Sequence, residues 1–251
     1  MRERPILFSG PMVRAILAGR KTQTRRLVKL PGYTIDERDD GTPWPWRMSW
    51  AHGDPEGSEW GACPYGRPGD RLWVRETWRA WATVGAGSEV RVTWRADDAY
   101  RDQHMPGEWS VPKSVARGAW GPSILMPRWA SRLTLDVVRV RVERLQDISE
   151  ADVAAEGITP ESVCALWEGA SRPRRMEAGC DPDRPVVHLE AYGAKNATLD
   201  AALYVSLHGL WRIAWTLING TESWEANPWV WVVEFAPDVD AAVRAQLGGG
   251  R

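Results

Sequence analysis

The sequence predicts an α+β fold, a small and mostly antiparallel β-barrel with flanking helices and long loop insertions. Three observations predict it. Short stretches of alternating apolar residues recur along the chain, and long excursions rich in glycine and proline separate them. Helical stripes occur at only a few joints. The longest strand changes parity at Val137-Val138, where an inward series Leu133, Leu135, Val137 gives way to Val138, Val140, Val142, as a bulge or bend in a closing barrel requires. Over 251 residues no stretch reads as a linker, so one domain over 1–251 is expected, with insertions at about 30–68, 96–121 and 159–198.

In chain order, Ile6-Leu7-Phe8 is a short first strand, expected to pair with the last. A helix follows over Met12 to Leu17, with Pro11 in its first turn and Gly19 as its stop. Arg20 to Arg26 is a basic turn, and Leu30 to Pro68 an irregular excursion that includes Trp44-Pro45-Trp46. The turn Gly69-Asp70 opens a strand with Leu72, Val74, Glu76 and Trp78 on one face and Trp73, Arg75 and Thr77 on the other. Glu89 to Arg95 alternates as a further strand. Ser149-Glu150-Ala151-Asp152 caps a short helix that Gly157 ends, which leaves Glu156 in the last turn, where the helix carbonyls repel a carboxylate. Leu199 to Ile218 is helical, with Leu207, Leu210, Trp211, Ala214, Leu217 and Ile218 as its apolar stripe. Trp229 to Phe235 reads as a buried strand, and a short helix or frayed tail follows from Ala236.

Composition narrows the function classes. A formal net charge of −1 gives no global pull towards nucleic acid, so any such attraction must come from local clusters. Three widely spaced cysteines (Cys63, Cys164, Cys180) and four scattered histidines argue against a zinc knuckle, a disulfide framework or a histidine metal site. No metal and no cofactor is expected. The N-terminus lacks the pattern of a signal peptide and no stretch approaches a membrane span, so a soluble, cytoplasmic protein without a membrane partner is expected. Aromatic usage is skewed to 17 Trp against 2 Phe and 5 Tyr, most of it destined for the core, with a few rings left to stack on a base.

The candidate chemistry centres on Lys21 and Thr24. Three residues apart, they can meet across one turn. Neighbouring Arg20, Arg25 and Arg26 disfavour the ammonium form of Lys21, which is one route to a lysine base and a hydroxyl nucleophile. A basic turn resting in solvent is the plain alternative. Glu76, on an otherwise apolar strand face, is either an exposed strand end or a carboxylate lining a pocket.

Taken together, Gly19-Arg20-Lys21-Thr22-Gln23-Thr24-Arg25-Arg26 and Gly69 to Trp78 resemble the ASCH domain, a relative of the PUA domains of RNA-modifying proteins. The stretches Pro127 to Arg132, Leu145 to Glu150 and Asn227-Pro228-Trp229-Val230-Trp231 are similar to larger ASCH proteins common in bacteriophage and bacterial genomes. The resemblance implies a PUA-like barrel with a cleft for a nucleotide or nucleic acid. One small branch of that family removes the acetyl group from N4-acetylcytidine with a Lys, a Thr and a Glu, and its first two match Lys21 and Thr24. By order along the chain the third falls on Glu156, with Glu76 as the competing carboxylate.

Two functions follow. As a metal-independent amidohydrolase, Lys21 takes the proton of Thr24, Thr24 attacks the acyl carbonyl, Glu156 orients Lys21 or passes the proton to the leaving amine, and Arg26 or backbone N–H groups hold the oxyanion. As an RNA- or DNA-binding module, or a nuclease, the basic turn holds phosphates while Trp73 or Trp78 stacks a base. Arg75, Glu76, Arg128 and Trp129 complete the candidate substrate surface in either case. The expected partner is a modified nucleoside or nucleic acid, and oligomeric state is left open.

Overall fold

A computed structural model describes residues 1–47, 59–82, 89–104, 107–108, 118–178 and 206–239. The remainder of the three predicted insertions, the predicted start of the long helix at 199–205 and the tail from 240 lie outside the described residues. The chain is mixed α+β, and its hydrogen-bonded strands are mostly antiparallel. Its backbone groups into two compact units, each assembled from separate stretches: residues 1–19, 65–138 and 235–251 in the first, and 20–64 and 139–234 in the second. Two of the four crossings between units, at 138/139 and 234/235, fall inside strands β10 (Leu133–Arg144) and β11 (Trp229–Val239), where a sequence shows no linker.

In the first unit, β1 (Glu3–Leu7) runs parallel to β6 (Arg71–Arg75), and β6 is antiparallel to the start of β10 (Leu133–Arg144). Helix α1 (Gly10–Leu17) buries Val13, Ala15 and Ile16, and Gly19 stops it at φ 70°, a left-handed geometry that a residue with Cβ adopts at a cost. A separate antiparallel sheet joins β7 (Trp78–Ala82), β8 (Glu89–Trp94) and β9 (Tyr100–His104). Its inner face closes a core of Trp78, Ala80, Val90, Val92, Trp94, Met126 and Ala130.

The second unit pairs β2 (Gln23–Leu27) with β11 (Trp229–Val239), antiparallel, over Val230 to Glu234. A three-stranded sheet of β3 (Thr34–Glu37), β4 (Pro43–Arg47) and β5 (Glu59–Trp60) fills much of the stretch expected to be irregular. Among the described residues its helices are α2 (Glu150–Ala155), α3 (Pro160–Gly169), α4 (Arg172–Glu177), α5 (Leu207–Asn219) and α6 (Thr221–Glu225). Ser149 caps α2 by accepting from Asp152 N, as its spacing predicts. Leu210, Trp211, Ala214 and Leu217 of α5 are buried with Trp167, Val230 and Val232, whereas Ile218, placed on the same stripe from sequence, is 48% exposed.

Three expectations are corrected. The basic stretch is mainly strand β2, because residues 23–27 satisfy their backbone groups on the edge of β11. That edge is therefore occupied by β2, and the partner of the first strand is β6 rather than the last strand. The segment 96–121 supplies β9, which completes the sheet begun by β7 and β8. A parity change does occur in β10, but later than expected: Val138, expected to lead the second inward series, is 57% exposed, and full burial on the even residues returns only at Val142, beyond the point where the chain leaves the first unit for the second.

Candidate active site

Lys21 opens the approach to β2 through an isolated antiparallel bridge to Glu156, the residue that closes α2. From there, strand alternation decides every contact. Lys21, Gln23 and Arg25 share one face, and all three reach the carboxylates around α2. Lys21 Nζ donates to Glu156 Oε2 at 2.6 Å and to the Glu156 carbonyl at 2.9 Å. Gln23 Nε2 donates to Asp152 Oδ1 at 3.0 Å. Arg25 Nε donates to Glu143 Oε1 at 3.0 Å, Nη2 to Asp152 Oδ2 at 3.2 Å and Nη1 to Glu156 Oε1 at 3.3 Å. Asp152 and Glu156, four apart, present their side chains to one side of α2. Arg141 extends the network to Glu143, Asp152 and Glu234.

Burial gives this cluster its chemical character. Lys21 and Thr24 are fully buried, and Glu156 is 4% exposed. For these two residues this rules out the plain alternative of a basic turn resting in solvent. Desolvation pushes the Lys21 amine below its ordinary value of 10.5, against the pull of Glu156, and the like charges of Arg26 and Arg25 add to the depression only as lesser causes. The sequence argument had the direction from the wrong dominant cause. Burial pulls Asp152 upward, but the hydrogen bond from Gln23 and the charges of Arg141 and Arg25 hold it below its ordinary value.

Thr24 lies on the other face of β2. Its hydroxyl accepts from Arg26 Nη1 at 2.7 Å, and Arg26 also donates to the Arg25 carbonyl at 3.0 Å. Among the described residues no hydrogen bond joins Lys21 to Thr24. A spacing of three unites two side chains on a helix and separates them on a strand, and this stretch is a strand.

The remaining candidates belong to the first unit. Glu76 is 1% exposed and accepts both Nε and Nη2 of Arg132, at 2.8 and 2.9 Å, while Arg132 Nη1 reaches Asp97 at 2.8 Å. Its carboxyl is thereby committed within that unit, and burial raises it above its ordinary value against the opposing pull of Arg132. Trp78 is fully buried with its ring edge-on to Trp129, so it is core rather than a stacking platform. The Arg75 guanidinium stacks over Trp73 at 4.7 Å. Arg128 pairs with Glu3.

Sequence reasoning thus paired Lys21 with Glu156 and missed Gln23, Arg25, Glu143, Asp152 and Arg141. The signal was present in the period-two series 21, 23, 25 and in the i, i+4 pair 152 and 156. Among the described residues no group of three or more His, Cys, Asp or Glu is placed to hold a metal ion, and no helix is long and apolar enough to cross a membrane. Compared with models of protein families, with curated proteins and with solved structures, the chain gives no match.

Proposed function

We propose that this protein is a metal-independent amidohydrolase that removes an acyl group from the exocyclic N4 of a modified cytidine. The observation that carries the reading is the buried Lys21–Glu156 pair: an amine whose ammonium form is disfavoured by desolvation, held at 2.6 Å by a carboxylate. A lysine in that setting is free to accept a proton at lower pH than an ordinary lysine, and the carboxylate fixes its direction. Thr24 is the proposed nucleophile. Its oxygen accepts from Arg26, which leaves the hydroxyl proton for a base and places a guanidinium beside the developing oxyanion. Lys21 and Thr24 share one short stretch but point to opposite faces, so the transfer requires them to come to one side when substrate binds. The PUA-like barrel is the fold that accompanies this reading.

Binding of RNA or DNA phosphates by the basic stretch is less well supported. Lys21 and Arg25, two of its four cations, are buried and committed to carboxylates. A phosphate clamp needs them exposed. The test is release of cytidine, followed by chromatography, when the purified chain is incubated with N4-acetylcytidine and longer N4-acyl analogues. Release that disappears in Glu156→Gln and Thr24→Ala supports the assignment. A folded chain that cleaves none of them sinks it.

A further inference from the structure

An open pocket of about 740 Å³ lies wholly within the first unit, and no residue of the Lys21 cluster lines it. Small-molecule sites occupy roughly 300–1,000 Å³, so its size suits a ligand of modest bulk. Its lining residues include Arg71, Arg101, Arg128 and Arg132 with one acid, Asp238, and Arg71 is paired with Asp238 and with Asp136. Of these cations, Arg132 is wholly buried and engaged by Glu76 and Asp97. Arg128 is different: its side chain is 42% exposed.

Arg128 already performs oxyanion recognition, on an acid of this same chain. Its Nε donates to Glu3 Oε2 at 2.8 Å and its Nη2 to Glu3 Oε1 at 3.1 Å, the two-pronged geometry that guanidinium offers to carboxylate and phosphoryl groups alike. Nη2 also donates to the Thr134 hydroxyl at 3.4 Å, which leaves the hydroxyl proton for a second acceptor. Glu3 is 37% exposed on β1, so it can leave Arg128 without opening the core. Beside Arg128 the half-buried residue Trp129 lines the same pocket, and its carbonyl accepts from Arg101 and Gln103, both at 3.0 Å, which fixes the turn that carries it.

We propose that this pocket binds a phosphoryl dianion carried on a planar aromatic body. Arg128 grips two phosphoryl oxygens in place of Glu3, Thr134 donates to a third, and Trp129 stacks the ring. The charge of the ligand follows from the competition. Glu3 is tethered, so its effective concentration at Arg128 is on the order of millimolar. A carboxylate from solution carries the same single charge and has no advantage over it, whereas a dianion does.

The experiment is titration calorimetry of the full chain with phenyl phosphate, inorganic phosphate and benzoate at fixed low salt. Saturable binding is expected in the order phenyl phosphate, then inorganic phosphate, with benzoate weakest. Arg128→Gln removes a charge-assisted pair and lowers phenyl phosphate affinity about tenfold or more. Trp129→Ala weakens phenyl phosphate and leaves inorganic phosphate unchanged. Glu3→Gln tightens both phosphates, because the internal competitor is gone, and this variant also guards against a trivial loss of fold. No saturable binding, binding indifferent to Arg128→Gln, phenyl phosphate no tighter than phosphate, or weaker binding in Glu3→Gln each overturns the proposal.

Discussion

The molecule buries two ion clusters that look alike in composition and differ in chemistry. In the first unit, Arg132 is clasped by Glu76 through two parallel hydrogen bonds and by Asp97 through a third, with its guanidinium 4.7 Å from the Trp94 ring. In the second, Glu156 is shared between Lys21 on one oxygen and Arg25 on the other. Both clusters take charges out of water and compensate them. A guanidinium does not give up its proton in a protein, and its fork is filled by carboxylates, so the first cluster is a fixed strut. A lysine in the second is pushed towards the neutral amine by the same burial. Burial leaves the arginine charged and pushes the lysine towards its neutral form. The identity of one cation separates scaffold from candidate chemistry.

The largest test of that contrast is kinetic. On a substrate that the wild type cleaves, Lys21→Met should lower turnover by about 10²–10⁴-fold, the usual worth of a positioned proton acceptor. Arg132→Lys should leave it within a few-fold. If the arginine change proves as damaging as the lysine change, the distinction between strut and base collapses.

Stability provides the second test, read by urea unfolding. Glu76→Leu strands Arg132 with Asp97 alone and should cost about 3–5 kcal/mol, while adding Arg132→Met should recover much of it. Lys21→Met leaves Glu156 still held by Arg25, so its cost should be smaller, about 1–3 kcal/mol. A Lys21→Met chain that fails to fold would show that the lysine serves structure as much as chemistry.

A third test uses pH. Unfolded lysine keeps its proton up to about the ordinary value of 10.5, whereas folded Lys21 releases it at lower pH. Between those points the unfolded chain binds more protons, so the contribution of Lys21 makes stability rise with pH. Wild type should therefore gain in urea midpoint relative to Lys21→Met as pH climbs towards 10.5, and turnover should climb through the same window. Arg132→Met against wild type should show no such slope. The smallest effect is reserved for exposed pairs: Arg71→Ala, which loses Asp136 and Asp238, both more than half exposed, should change stability by no more than about 1 kcal/mol.

Much of the fold was legible because local rules act locally. Gly19 stopping α1, Ser149 capping α2, the alternation of β6 and β8 and the parity change in β10 all follow from backbone sterics and period. The pairing of Lys21 with Glu156 was reached by resemblance and order along the chain, and the awkward carboxylate at the end of α2 was a physical hint of it. The strands β3 to β5 escaped notice because prolines and tryptophans blur alternation, so that Trp44 and Trp46 share a face only once Pro45 is seen to pair with Ile35.

By itself the sequence determined the strand character of β6, β8 and β10, the helical character of α1 and α2 with their stops, and which residue types bear chemistry. The tertiary structure decided which of those residues meet. Residues 21–27 obtain their backbone partners from Glu156 and β11, and only that pairing makes the stretch extended, turns Thr24 away from Lys21 and brings Arg25 to three carboxylates. Burial too is a property of the assembled units. Lys21, Glu76 and Arg132 read as polar surface in the chain and lie inside it in the fold, because the partners that compensate their charge come from segments 35 to 135 residues away.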